Sequence, residues 1–293
     1  MSKIQNFKSG VGLWSAVLTM SFLLSFSAFA QQTQPLLKRT TFKTENIDFG
    51  AGGTLTLVGA PTGSISIEGW QKNEIEISVD IEVQAETEAD LALLAGIDGF
   101  VIDNDFGHVR IFSVGTNDKD YLKRTAKKFP KRLLGLPFKI DYRIKVPVYC
   151  DLEINGGHGD FNLSNIQGAM QIKFLESNAE MNLTGGNVIA TFGGGNVEIK
   201  IQSRSWRGRS LDVQVAGGNL NVYLQPSFNG DIDASILRTG KIENKFDTFK
   251  PRDRTTFTEK SIAARSGTGG ASLNFTVGDG ILKLQNLEQI SAN

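Results

Sequence analysis

The sequence predicts an all-β fold: a β-solenoid with coils of about 20 residues, preceded by alternating strands and one short helix. One observation behind this is a recurring phrase, in which a small residue is followed by polar, apolar, polar and apolar residues. The phrase begins at Gly159, Ala179, Gly195, Gly218 and Gly240, so successive starts are 16 to 23 residues apart. The second observation is the alternation of polar and apolar residues in much of the chain before residue 154, which is typical of half-buried strands.

The N-terminal segment has the features of a secretory signal peptide. Lys3 and Lys8 form a basic segment, residues 11–26 are mainly apolar, and Ala28 and Ala30 supply the small residues of a cleavage site. An uncleaved anchor is the alternative, but the apolar run is short for a span of about 20 residues. We therefore expect an exported protein that is periplasmic, at the cell surface or secreted, with no stable transmembrane segment after cleavage.

This assignment defines the domain organisation. We expect a signal peptide at residues 1–30, a flexible lead at 31–45 and one β-solenoid domain at 46–293. Within that domain, residues 46–150 form an N-terminal part and residues 151–293 form the regular coils.

Charge and cysteine content exclude several classes of protein. The chain has 31 basic and 31 acidic residues, and removing Lys3 and Lys8 leaves 29 basic residues and a net charge of −2. That balance argues against nucleic-acid binding, which usually needs a basic excess. Cys150 is the only cysteine, so no internal disulfide can form. The fold must therefore be stabilised by burial and backbone hydrogen bonding.

The N-terminal part combines strands with one helix. Alternation covers residues 53–57, 63–70 and 74–83, and it returns at 101–114 and 140–154. Residues 86–95 break the alternation with good helix formers, have acids in the first turn and are followed by Gly96, so they predict a short helix that caps the open end of the sheet.

Residues 116–136 form a basic insertion. Seven lysines and arginines between Lys119 and Arg132 are compatible with an amphipathic helix interrupted at Pro130, or with a mobile loop. The insertion could contact anionic glycans or lipid headgroups, or its lysines could simply be solvated, and we favour solvated lysines.

Stacking the phrases predicts two inward columns and one outward polar column. The predicted inward columns are Phe161, Met181, Val197, Leu220 and Ile242, and Leu163, Leu183, Ile199 and Val222; the predicted outward column is Asn162, Asn182, Glu198, Asn221 and Glu243. Stacked asparagines can hydrogen-bond along such a column, so we interpret it as structural. Residues 247–270 interrupt the pattern and predict a long loop.

The order of these features resembles the bacterial putative-adhesin family of β-solenoid domains. The resemblance rests on the Gly-x-Ile-x-Ile phrase closed by Gly-Trp (Gly63–Trp70), the Tyr-x-Ile-x-Val-Pro strand (Tyr142–Pro147) and the Gly-led phrases from Gly159. It covers nearly all of residues 46–286. It implies an exported, repetitive β domain linked to the cell envelope and supplies no catalytic residues.

The sequence predicts no catalytic set, no cofactor and no metal site. His108, His158 and Cys150 cannot complete a four-ligand zinc site without carboxylates. Parallel β-helices also host polysaccharide lyases and hydrolases, so an enzyme remains the alternative. For that alternative, Asp160 and Glu180 are the candidate acid–base pair, because the phrases place them at equivalent positions of consecutive coils.

The candidate ligand-binding loop contains Arg204, Trp206, Arg207 and Arg209. Trp can stack on a sugar ring and Arg can pair with carboxylate or phosphate, on the kind of element that carries recognition. The alternative is that Trp206 covers an edge of the core. The expected function is that of a non-enzymatic adhesin or scaffold whose partner is a cell-surface glycan or protein; a polysaccharide-binding or polysaccharide-degrading protein is the alternative.

Overall fold

The computed structural model describes residues 36–126 and 128–287, so the predicted signal peptide lies outside the described residues. The described chain is all-β, with two α-helices and one 3-10 turn. The helical elements are α1 (Glu88–Ala95), α2 (Lys119–Thr125) and the 3-10 turn (Lys131–Leu133). The strands before residue 165 are β1 (Leu37–Asp48), β2 (Thr54–Val58), β3 (Ile65–Trp70), β4 (Glu74–Ala85), β5 (Gly99–Asp105), β6 (His108–Val114), β7 (Phe138–Pro147), β8 (Asp151–His158) and β9 (Phe161–Ser164). The later strands are β10 (Ala169–Glu176), β11 (Ala179–Leu183), β12 (Gly185–Phe192), β13 (Gly195–Ile201), β14 (Arg207–Leu224), β15 (Gly230–Ile236), β16 (Gly240–Asn244), β17 (Lys250–Pro251), β18 (Ser261–Ser266) and β19 (Ser272–Asn286).

The strands form two mostly parallel ladders. The first ladder runs β5–β6–β2–β8–β10–β12–β14–β19–β15–β18–β17, with antiparallel pairs at its two ends. The second runs β1–β4–β7–β3–β9–β11–β13–β14–β19–β16. From β8 to β13 the chain alternates between the ladders, and β14 and β19 each contribute one half to each ladder.

The C-terminal strand β19 lies between β14 and the pair β15 and β16. Leu220 of β14 is opposite Leu282 of β19, and Leu282 is opposite Ile242 of β16. The prediction that Ile242 stacks directly on Leu220 is therefore wrong. All these strands have the same alternation, so the sequence pattern does not reveal which one is inserted.

The predicted register of β11 is also wrong by two residues. Ala179 lies opposite Phe161 and Val197, and Met181 lies opposite Leu163 and Ile199. Glu180 consequently lies beside Asn162 and Glu198. The prediction took Ala179 as the small residue that starts the phrase, whereas the position equivalent to Gly159 and Gly195 in this part of the chain is Ser177.

The core lies between the two ladders and is built from alternate residues of each strand. Phe161 and Phe174 have ring centroids 4.8 Å apart, and Phe174 stacks on Phe192 at 5.9 Å, so the aromatic rings continue from one strand to the next. Because each strand buries its apolar side against its neighbours, stability depends on the stack as a whole.

Helix α1 packs at the β1–β4 end of the second ladder. Thr87 caps it by accepting a hydrogen bond from the Asp90 amide, and Leu91 and Leu94 are buried in the core. These contacts confirm the predicted short helix.

Residues 37–45, predicted to be part of a flexible lead, instead belong to β1. This strand pairs with β4 from Leu37↔Ala85 to Asp48↔Glu74. The prediction failed because β1 is held by backbone hydrogen bonds and is mostly exposed on both faces, so its sequence lacks hydrophobic alternation.

The basic insertion forms α2 and the 3-10 turn, joined through residues that include Pro130. Its contact with the rest of the protein is anchored by Leu122 and Leu133, which are buried, and by Arg132, which pairs with Asp90 of α1 at 2.5 Å. Lys119, Lys123, Lys128 and Lys131 are exposed or partly exposed along it.

Residues 247–270, predicted to be a long loop, include β17 and β18. Arg252 of this segment pairs with Asp233 at 2.6 Å, and Arg265 pairs with Asp231 at 2.9 Å. The two arginines fasten this segment to β15, and β18 and β17 extend the first ladder beyond β15.

Candidate functional site

The outer face of the second ladder carries a column of stacked amides. The column consists of Asp160 and Asn178, which directly precede β9 and β11, and of Asn196 and Asn219, which lie in β13 and β14. Each of the four directly precedes a buried residue that stacks in the core. Asn178 Nδ2 donates to Asp160 Oδ1 at 3.4 Å, Asn196 Nδ2 to Asn178 Oδ1 at 3.4 Å, and Asn219 Nδ2 to Asn196 Oδ1 at 2.9 Å. We call these four residues the amide ladder.

A second outward column runs beside the amide ladder. It contains Asn162, Glu180, Glu198 and Asn221, and Lys200 of the next column reaches into it. Lys200 Nζ lies 2.8 Å from Glu180 Oε1 and 2.7 Å from Glu198 Oε1. Hydrogen bonding from Lys200 lowers the pKa of Glu180, so this carboxylate is held in its charged form.

The two columns enclose a shallow groove of about 400 Å³. Its lining is polar except for Ala179 and Val197, and it comprises Asp160, Asn162, Asn178, Glu180, Asn196, Glu198 and Asn221. The groove crosses several strands, so it offers the same types of hydrogen-bonding group at intervals of about 4.8 Å, the spacing of neighbouring strands.

A smaller pocket of about 180 Å³ adjoins the groove at the corner between the ladders. His158 and Glu176 face each other there, with 3.4 Å between Nδ1 and Oε2, and Asp160 and Asn178 line both pockets. The groove therefore continues around the corner as a polar surface. Among residues 36–126 and 128–287, no group of three or more histidine, cysteine, aspartate or glutamate side chains is arranged to hold a metal ion.

The observed register separates the candidate acid–base pair. Asp160 lies in the amide ladder, where Asn178 donates to it, whereas Glu180 lies in the neighbouring column and pairs with Lys200. The prediction that these carboxylates occupy equivalent positions is wrong, because Ala179, not Met181, is opposite Phe161. The predicted outward column is wrong for the same reason: Asn182 lies opposite Ser164 and Lys200, away from Asn162.

In the predicted binding loop the tryptophan is buried, whereas the three arginines are exposed. Trp206 is buried, with 6% of its surface exposed, and its indole N–H donates to the Gly186 carbonyl at 3.1 Å. This ring therefore covers an edge of the core and is not available to stack on a sugar. Arg204, Arg207 and Arg209 are exposed, and in the described part of the chain no hydrogen bond or ion pair engages their guanidinium groups.

Cys150 is excluded from surface chemistry by its environment. The thiol is buried, and burial raises its pKa to about 12. It therefore stays protonated and packs as part of the core.

The groove residues Asn178 and Asn196 were missed by the sequence analysis. A usable signal exists, because an asparagine directly before a buried apolar residue recurs at 178, 196 and 219. When the second phrase is taken to begin at Ala179 instead of Ser177, the register shifts by two residues and this recurrence is hidden. Within the described residues, no helix is both long enough and apolar enough to span a bilayer.

Comparisons with known proteins place this chain near adhesin-like structures at low similarity. No family model and no curated protein matches it. A structure from Clostridium sporogenes, named a "putative cell adhesion protein", is 13% identical with a TM-score of 0.45, and the match covers 85% of this chain and 100% of the other. A "putative adhesin" from Bacteroides fragilis is 10% identical with a TM-score of 0.37, covering 84% and 97%. A "putative lipid binding protein" from Parabacteroides distasonis is 11% identical with a TM-score of 0.21, covering 84% and 97%. These identities and TM-scores are too low to assign a family or an activity.

Proposed function

We propose that this chain is an exported, non-enzymatic β-solenoid of the cell envelope that acts as an adhesin or scaffold. Support for the solenoid comes from the alternation of the chain between two parallel ladders from β8 to β13. Support for binding comes from one observation above all, the groove of about 400 Å³ beside the amide ladder.

The chemistry of the groove favours an extended ligand with many hydroxyl groups, such as a cell-surface glycan. A primary amide has two N–H donors and two acceptor positions, and the amide ladder uses one of each per internal asparagine. Each internal amide therefore keeps one donor and one acceptor for a ligand, and a sugar hydroxyl can satisfy both. Lys200 neutralises part of the charge of Glu180 and Glu198, which lowers the repulsion that a polyanion would meet.

Asn196→Ala tests this proposal because Asn196 is in the middle of the amide ladder. The variant loses the donor to Asn178 and the acceptor for Asn219, and we expect about tenfold weaker binding to the glycan it recognises, equivalent to about 1.4 kcal/mol. Binding would be measured by isothermal titration against a panel of neutral and acidic polysaccharides and purified cell-wall glycan. Asn155→Ala, an exposed asparagine on β8 of the first ladder, is the matched control.

Two other outcomes of the same panel identify other functions. The second candidate is an anionic ligand held by Arg204, Arg207 and Arg209, which are exposed on a loop anchored by the buried Trp206. Loss of binding to acidic polysaccharides on changing these arginines to glutamine, with Asn196→Ala unaffected, would favour that candidate over the groove. Cleavage of a polysaccharide that disappears in Asp160→Ala would overturn the non-enzymatic proposal.

A further inference from the structure

Strand β1 has a free hydrogen-bonding edge. Phe49 N donates to Asn73 O at 3.0 Å, so the backbone groups of odd-numbered residues in β1 face β4. The backbone groups of even-numbered residues from Lys38 to Asp48 therefore face away from β4, and among the described strands only β4 pairs with β1 residue by residue. A strand of 12 residues with such an edge is a template for pairing with another chain.

The sequence of β1 is self-complementary about Phe42. When a second β1 lies antiparallel to the first across a two-fold axis through Phe42, Arg39 lies opposite Glu45 of the other copy, and Thr40 opposite Thr44. Leu37 lies opposite Ile47, and the two Phe42 side chains meet at the axis. Opposite charges, threonine pairs and aromatic pairs directly across an antiparallel pair each stabilise it.

The backbone geometry is compatible with this register. Phe42 is even-numbered, so its N–H and C=O face the free edge and can form a reciprocal pair with Phe42 of the second copy. Arg39 and Glu45 are odd-numbered and lie on the side of the buried residues of β4, so each meets its partner on the same face of the joined sheet.

Neighbouring registers bring like charges together. A two-fold axis through Lys43 places Lys43 opposite itself, and an axis through Thr41 places Arg39 opposite Lys43. Axes between residues would pair inward with outward side chains, because side chains alternate with a period of two. The charges of β1 thus act against the two registers whose axes lie one residue on either side of Phe42. An axis through Thr44 pairs Lys43 with Glu45, but it places Phe42 opposite Asn46 and leaves Leu37, Lys38 and Arg39 without a partner residue.

Surface exposure points to the same contact. Phe42 is 62% exposed and Leu37 is 43% exposed, so a second copy paired along β1 would bury apolar surface on both side chains. Arg39 also pairs with Glu88 of α1 at 3.0 Å, but both side chains are largely exposed, so Arg39 can reach a new partner at little cost.

We propose that two copies of this chain associate through antiparallel pairing of their β1 strands, in the register centred on Phe42. The contact is isologous, so it uses the β1 edge of both copies and closes as a dimer without extending into a fibre. The partner is a second copy of this chain, and the surface is the free edge of β1.

Sedimentation velocity of the chain beginning at Gln31 tests this proposal, from low micromolar concentration to about 1 mM, the range in which weak edge contacts are populated. We expect a reversible dimer. Phe42→Pro removes an N–H from the centre of the contact without removing one that faces β4, so the variant should be monomeric with an unchanged far-ultraviolet circular dichroism spectrum.

Charge reversal tests the register. Arg39→Glu and Glu45→Arg should each weaken the dimer about tenfold, since two symmetric ion pairs become repulsive at about 1.4 kcal/mol in total. The double variant Arg39→Glu/Glu45→Arg should restore it, and Glu88→Gln, which removes only the intramolecular partner of Arg39, should leave it unchanged. A monomer at every concentration, or a dimer insensitive to Phe42→Pro and to both charge reversals, would overturn the proposal.

Discussion

At the scale of single residues, Asp98 is a buried carboxyl group with one oxygen that has no hydrogen-bond partner. It is 3% exposed, its Oδ1 accepts from the Thr116 amide at 2.7 Å, and its Oδ2 has no partner. Burial raises the pKa of this carboxyl, because a charged oxygen without a partner is costly in a low-dielectric site. Asp98 is therefore a source of pH-dependent stability in this fold.

Asp98→Asn should change how stability depends on pH. A carboxyl whose pKa is raised in the folded state stabilises the fold fully below its unfolded pKa of about 4, and that contribution is lost as pH rises through the folded pKa. We expect the wild type to lose stability relative to Asp98→Asn as the pH rises above about 4, because the raised pKa of the folded state delays ionisation of Asp98 only in the folded protein. Urea unfolding at several pH values measures this difference, and Asp247→Asn, an exposed aspartate, is the control. Parallel curves for wild type and Asp98→Asn would contradict the assignment.

At the scale of elements, the second ladder depends on glycines at the corner where its strands begin. Gly218 has a φ of +130°, a region that favours glycine, and a Cβ there would overlap the Gly195 carbonyl oxygen. A Cβ added to the adjacent Gly217 would meet only the Gly193 carbonyl oxygen, at a distance of 4.0 Å. Of these two neighbouring glycines, Gly218 must lack a side chain because its backbone lies against that of β13, whereas Gly217 has room for a Cβ.

Gly218→Ala should be strongly destabilising and Gly217→Ala nearly neutral. The first change combines a strained φ, which costs about 1–3 kcal/mol, with a backbone overlap that forces β13 and β14 apart. Chemical denaturation measures the free energy of unfolding of both variants. If Gly218→Ala does not fold at all, normal folding of Gly217→Ala still shows that the two positions differ. Equal stability of the two variants would contradict the role of this corner.

The same elements show which parts of the fold can be predicted from sequence. Alternation of polar and apolar residues identified most of the strands from β2 onward, because one face of each is buried. It missed β17 and β18, which lie in the segment predicted to be a loop. It could not identify β1, which has no buried face, or the register of β11, whose corner residue is Ser177 in place of glycine. The groove was missed for this second reason, since its amide ladder appears only when Asn178 is aligned with Asp160 and Asn196. Trp206 shows a different limit, because its sequence context does not reveal whether the ring faces the core or the solvent.

At the scale of the whole molecule, the position of β19 determines the order of the strands. In chain order β15 and β16 would stack on β14, and the spacing of 22 residues from Gly218 to Gly240 allows this. The observed order places β19 between them, with Ser210↔Ser272 and Gly218↔Gly280 on one side and Asp231↔Ser272 and Gly240↔Gly280 on the other. Because β19 follows β14, β15 and β16 in the sequence, it must enter between strands that precede it, so β14, β15 and β16 can complete their pairing only after β19 is present.

Paired cysteines distinguish the two orders. Asn221 and Lys283 are directly opposite each other on β14 and β19, about 4.8 Å apart as neighbouring strands are, which is within the range of a disulfide. Asn221 and Glu243 are separated by two strand spacings, about 9.6 Å, which exceeds the reach of a disulfide.

We therefore expect Asn221→Cys/Lys283→Cys to form a disulfide under mild oxidation and Asn221→Cys/Glu243→Cys to remain reduced. Peptide mass spectrometry and thiol counting measure the outcome, and Cys150 does not interfere because its thiol is buried and protonated. Cross-linking of the second pair in place of the first would mean that β16 stacks on β14 in chain order. Cross-linking of the first pair alone requires that β19 lies between β14 and the pair β15 and β16. In that case both ladders are continuous through β19.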